Sequence, residues 1–203
     1  MSNRQMSADQ FLSDVAEHKM TVRFDTGLYR NLRFRQPDNS NQWFEIATWP
    51  GSLVINGDMG TWSFSRVDDM FTFFRSDALK INAHYWQEKA TSESRFGGPS
   101  SAFDADTFKT NVLSCLDGYD LDEKQRAEIV GALDEEVFGM DEELFARQAL
   151  DSFQHDDPDY EPFSFSDPWE IDGMAYTYHF LWCLYAIVWA IQQYDAMKAE
   201  VDQ

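Results

Sequence analysis

From Met20 to Ser65 apolar and polar residues alternate in short runs, the period-two pattern of strands with one face buried. Met20–Asp25 is the first such run. In the second, Leu28–Arg35, Leu32 and Phe34 share one face and Arg33 and Arg35 the other; Gln42–Trp49, Ser52–Asn56 and Thr61–Ser65 follow. The segments between them carry turn chemistry: Thr26-Gly27, the polar stretch Gln36–Asn41, Pro50-Gly51, and Gly57-Asp58-Met59-Gly60, whose glycines admit unusual backbone angles. Connections this short predict an antiparallel meander of four or five strands.

Elsewhere the period lengthens to that of helices. Ser7 is placed to cap a helix bearing Phe11, Leu12 and Val15 on one face, with Asp9 at its positive end. Met70, Phe71, Phe73 and Phe74 fit a short apolar helix, and Ile81–Lys89 another. Asp104 caps a helix carrying Phe108, Val112 and Leu116; Asp122–Val137 buries Ile129, Val130, Leu133 and Val137; a third helix runs over Asp141–Phe153. His155–Asp167 is Pro-bearing, aromatic and acidic. Tyr176–Lys198 is apolar nearly all round and therefore expected at the centre of the fold, and its longest apolar run, Phe180–Ile191, falls short of the roughly 20 residues a bilayer requires. The fold class is α+β, a four- to five-stranded meander sheet packed against helices with a largely helical acidic second half. Residues 1–203 are expected to form one domain, with Gly97-Gly98-Pro99-Ser100-Ser101 offering a subdivision into a sheet-rich half, 1–96, and a helical acidic half, 102–203.

Charge sharpens that division. The chain carries a net charge of −20, of which residues 1–100 supply −1 and residues 101–203 supply −19; residues 101–172 alone hold 21 acids against 4 bases. A solvated acidic face accounts for solubility with far fewer carboxylates, and repulsion among so many opposes folding. A partner with a basic surface would benefit from the whole cluster. Direct binding to DNA is disfavoured, because phosphate contacts need Lys and Arg.

Motifs for chemistry are largely missing. The N-terminus lacks the basic start and apolar run of a secretory signal, and Cys115 and Cys183 sit in apolar helical patterns at no metal or redox spacing, so buried free thiols in a reducing interior are expected. EF-hand frames beginning at Asp120 or Asp157 place Gln125 or Pro162 where the loop needs Gly. His18, His84, His155 and His179 match no zinc spacing; His155 with Asp156 and Asp157 makes a cation site only if the fold delivers further ligands, and Asp156, Asp157, Asp159 and Glu161 offer at most a nonstandard one. Gly57-Asp58-Met59-Gly60 is neither a P-loop nor a dinucleotide fingerprint, and no GxSxG elbow occurs. No catalytic residue, metal or cofactor is assigned. Arg23, Arg30, Arg33 and Arg35 cluster on the strands, where internal ion pairing is the expected use, and Trp49, Trp62, Tyr85 and Trp86 are expected to serve mainly as aromatic core.

Four segments are together distinctive: YRNLRFRQP (29–37), WFEIATWPGSLVINGDMGTWSFSRVDDMFTFFR (43–75), INAHYWQEK (81–89) and YTYHFLWCLYAIVWAIQQYD (176–195). They resemble a family of small proteins carried by bacteriophages and prophages, over roughly the first ninety residues and the last thirty. The resemblance implies the bacterial host cytoplasm and, since small acidic phage proteins often look like anti-CRISPR or anti-restriction inhibitors, an anti-defence role; it carries over no functional residue. The leading expectation is an inhibitor that occupies the basic surface of a host nucleic-acid-binding defence protein through a nucleic-acid-mimicking face. The residues expected there are Asp134, Glu135, Glu136, Asp141, Glu142, Glu143, Asp156, Asp157, Asp159 and Glu161. Two other classes stay open: a protein sequestering nucleotides or nucleic-acid fragments, or an unfamiliar enzyme, using the aromatic and Arg-bearing sheet; and a structural or regulatory phage protein. No membrane partner is expected.

Overall fold

The computed structural model describes residues 6–93, 98–158 and 160–201. The chain divides into two compact units, one built from Arg4–Ser100 with Tyr176–Gln203, the other centred on Ser101–Ala175. The apolar C-terminal helix thus belongs with the sheet, and the acidic middle of the chain folds around a core of its own.

In the sheet unit, six strands follow one another in space as in sequence: β1 (Lys19–Thr26), β2 (Tyr29–Arg35), β3 (Phe44–Trp49), β4 (Ser52–Gly57), β5 (Gly60–Ser65) and β6 (Ala90–Ser92), every neighbouring pair antiparallel. The alternation read from the sequence sets the register. Leu32 stands opposite Ile46, Ile46 opposite Ile55 and Ile55 opposite Trp62, so a continuous row of fully buried side chains crosses the middle strands. The meander has one strand more than the sequence pattern suggests: β6 is three residues long and joins β5 across a register irregularity. β1, at the other edge, has no buried residue and is interrupted between Val22 and Phe24, features that discourage pairing with another chain.

Helices cover the buried face. α1 (Ala8–Asp14) is capped by Ser7, whose hydroxyl accepts a bond from Gln10 N at 3.2 Å. Phe11 and Val15 are buried, but Leu12, expected on the same face, is exposed. α2 (Met70–Phe74) and α3 (Ala83–Gln87) are short. The long α7 (Tyr178–Val201) buries Phe180 through Leu184 without interruption, and Phe44 makes the junction with the sheet: its ring stacks on Phe34 at 4.7 Å and meets Trp182 edge-on at 5.6 Å. Trp182 Nε1 also donates to Asp14 Oδ2 at 3.0 Å, fixing α1 against α7. None of the described helices is long and apolar enough to cross a membrane.

The acidic unit contains α4 (Ala105–Leu116), α5 (Glu123–Glu136) and α6 (Glu143–Ser152), a 3-10 turn over Pro168–Glu170, and β7 (Ser101–Phe103), which pairs with β8 (Met174–Tyr176), whose first two residues belong to this unit. Asp104 and Asp122 cap α4 and α5 by accepting from Thr107 N and Gln125 N, each at 2.8 Å. Phe108, Val112, Ile129, Leu133, Ala146 and Leu150, at helical spacing on the three helices, meet in a core completed by Phe163 and Phe165. His155 and Phe163 exchange both backbone hydrogen bonds at 2.9 Å, closing the intervening loop.

Candidate functional site

Residues 101–172 combine a real core with a surplus of carboxylates, so most of those carboxylates are turned outward. Asp134, Glu135 and Glu136 are exposed on the last turn of α5, where the negative end of the helix dipole opposes them; Asp134 accepts an ion pair from Lys109. Asp156 and Glu161 are exposed and Asp157 half-buried on the loop closed by the His155–Phe163 bridge. Asp159 lies outside the described residues. Asp141, Glu142 and Glu143 enter α6. Glu142 occupies the N-cap position without a side-chain capping bond, whereas Glu143 accepts from Arg147 Nε at 2.8 Å.

The structure adds an apolar element that composition alone did not reveal. α6 buries Ala146 and Leu150, four residues apart, and this phase leaves Leu144 and Phe145 outside the core, 71% and 52% exposed. Trp169, on the 3-10 turn, is 66% exposed. A groove of about 590 Å³ is lined by Met140, Asp141, Glu142, Phe145, Gln148 and Ser152 among others. A second, of about 390 Å³, is lined by Leu144, Arg147, Gln148, Asp151 and Trp169. Gln148 borders both. Asp141 and Glu142 are therefore brought together beside large exposed apolar side chains, and Asp151, which the sequence pattern did not single out, joins the rim. Helical phase was the available signal for Leu144 and Phe145, because Ala146, Leu150 and Phe153 already account for the buried stripe.

Arg147 organises this face from within, donating through Nη1 to the Ile171 carbonyl at 3.1 Å as well as to Glu143. Asp122 is anchored at the start of α5 by Gln125 N and by the Tyr160 hydroxyl, both at 2.8 Å; these bonds hold its carboxyl below the usual range and push the Tyr160 phenol up.

The sheet carries the other cluster of arginines and aromatic rings. Arg30 forms a two-pronged ion pair with Asp69 at 2.8 and 3.2 Å, Arg23 reaches Glu45 at 2.5 Å, and Arg33 lies over the Trp43 ring at 4.8 Å. Trp62 and Trp86 are core residues, while Trp49 and Tyr85 are exposed. Cys183 is buried, and burial pushes its thiol well above the ordinary range; Cys115, expected buried, is only half so.

No protein-family model, curated protein or solved structure matches the chain.

Proposed function

We propose that the acidic unit is a protein-binding module, and that the face formed by α6 and Trp169 docks on a basic surface of a nucleic-acid-handling protein. One observation supports this above all: Leu144, Phe145 and Trp169 project into solvent beside Asp141, Glu142 and Asp151. An acidic surface that serves solubility has no use for three large exposed apolar groups, whereas interfaces place apolar anchors at the centre and charge at the rim. The rim carboxylates select a partner with Lys and Arg at matching positions and speed the encounter; the anchors hold the complex. Carboxylates at such a surface stand where phosphates would, so the complex excludes nucleic acid from the partner without any catalytic group in this chain.

The resemblance to phage-carried proteins makes a host defence protein in the bacterial cytoplasm the proposed target. The test is direct competition. Purified chain is added to a candidate basic partner bound to labelled duplex DNA, and polarisation of the label is followed at low and physiological salt. Release of DNA that weakens as salt rises supports the proposal. A partner that retains its DNA while binding the chain contradicts the mimicry.

A further inference from the structure

Outside the α6 face, the fold brings together three potential metal ligands from two segments. Glu128 projects from α5 next to the fully buried Ile129; His155 and Asp157 lie on the loop that the His155–Phe163 bridge closes. One donor atom from each lies within 4.8 Å of the others. Glu128 Oε2 and His155 Nε2 are shielded from solvent and have no hydrogen-bond partner within the chain, and a polar atom left so loses stability that a ligand restores. The other carboxylate oxygen, Glu128 Oε1, is 3.8 Å from Lys124 Nζ.

We propose that Glu128, His155 and Asp157 bind a borderline divalent cation of the zinc class, which ties the 155–163 loop to α5. The donor set selects the ion. One imidazole with two carboxylates suits Zn²⁺ and its transition-metal neighbours, whereas Mg²⁺ and Ca²⁺ take oxygen donors throughout. Ligand bonds of about 2.0–2.2 Å place the donors of one tetrahedral sphere roughly 3.4 Å apart, so the cluster closes on the ion by side-chain rotation of about an ångström. The backbones carrying the ligands are already held, one by a helix packed on its core and the other by a paired bridge. Two positive charges also relieve the repulsion between two carboxylates in a region with 21 acids and 4 bases. The site is independent of the α6 face, and it gives Asp157 a use other than partner binding.

The test is calorimetric titration of the chelator-treated full chain with Zn²⁺, with thermal unfolding in parallel. One equivalent bound with a rise in Tm is expected, and neither effect with Mg²⁺ or Ca²⁺. Glu128→Gln and His155→Gln should weaken binding at least about 100-fold, whereas His84→Gln, at an exposed helical position, should leave it unchanged. Absence of a one-equivalent Zn²⁺ isotherm, or equal affinity in the Glu128 and His155 variants, overturns the site. Should those variants fail to fold, Co²⁺ bound to the unaltered chain decides. Intense visible absorption, compared with aqueous Co²⁺ and lost in Asp157→Asn, supports the triad; a spectrum matching the aqueous ion overturns it.

Discussion

Arg147 Nε donates to Glu143 Oε1 at 2.8 Å, one turn apart on α6, while Nη1 of the same side chain holds the Ile171 carbonyl. Glu143 is therefore partly neutralised within the fold, whereas Asp141 and Glu142 line the neighbouring groove. The carboxylates named from the sequence are thus expected to contribute unequally. Glu143→Gln should change partner affinity less than twofold. Joint Asp141→Asn and Glu142→Gln should weaken it by about tenfold at low salt and less at high salt, since each exposed charge contributes up to about 1 kcal/mol and is screened. Titrations at two ionic strengths check this; equal losses for the two variants would remove the distinction.

The apolar anchors separate binding from stability. Leu144, Phe145 and Trp169 are more than half exposed, so replacing them singly by Ser should move unfolding free energy by no more than about 0.5 kcal/mol. At the centre of an interface the same truncation of Phe145 or Trp169 should cost about 2 kcal/mol or more of binding. Chemical denaturation alongside affinity measurement reads both quantities. A variant that binds normally would take its side chain out of the interface.

In the sheet unit the Arg30–Asp69 pair is a test of folding energetics. The Arg30 side chain is 9% exposed and that of Asp69 29%, and Asp69 also caps α2 by accepting from Phe71 N at 3.0 Å. Asp69→Asn preserves the capping group and removes the charge, so it should cost about 2–3 kcal/mol, the low side of what losing one partner of a buried pair costs. Burial pushes the Asp69 carboxyl up, but the hydrogen bond from Arg30 and that from Phe71 N outweigh it and hold the group below its ordinary 3.8. The unfolded chain then binds the proton more tightly. The stabilisation is present above pH 3.8 and is lost as pH falls through the lower folded value. Urea midpoints measured between pH 7 and pH 3 should fall more steeply for the parent than for Asp69→Asn.

Gly57 faces a steric limit. A Cβ there would collide with the Trp43 carbonyl oxygen and come within 2.8 Å of Phe44 Cα, and that same carbonyl accepts from Asp58 N at 3.0 Å. Backbone on an inner strand has little room to retreat, so Gly57→Ala should lower stability by about 3 kcal/mol. A thermal melt within 2 °C of the parent would show that the strands separate more easily than their register implies.

Much of the fold was legible because its signals are local. Leu32, Phe34, Ile46, Leu53 and Ile55 are buried on the alternation that the sequence displays, and Ser7 and Asp104 cap the helices they were expected to cap. β6 was not legible, since three residues carry no period and exist as a strand through pairing with β5. At Gly57 the sequence suggests a turn glycine that admits an unusual angle; its requirement is instead close approach to the Trp43 carbonyl and Phe44 Cα across the β3–β4 pair. For the candidate site, charge singles out residues 101–172 but not the arrangement of side chains within them. Trp169 borders the same groove as Leu144 through tertiary packing, and Glu128 reaches His155 in the same way. Neither relation leaves a trace in local spacing.

Partner capture with a folded chain whose candidate carboxylates are neutralised tests the central claim most directly. The chain and a variant with Asp134, Glu135, Glu136, Asp141, Glu142, Glu143, Asp156, Asp159 and Glu161 changed to Asn or Gln, Asp157 being left as a ligand of the proposed metal site, are immobilised and exposed to bacterial host lysate, after matching circular dichroism confirms that both are folded. The expected result is a nucleic-acid-binding protein retained by the parent, released by duplex DNA and by rising salt, and absent from the variant. A folded variant that retains the same protein equally well, with DNA unable to displace it, would contradict the claim that the acidic face is the recognition surface.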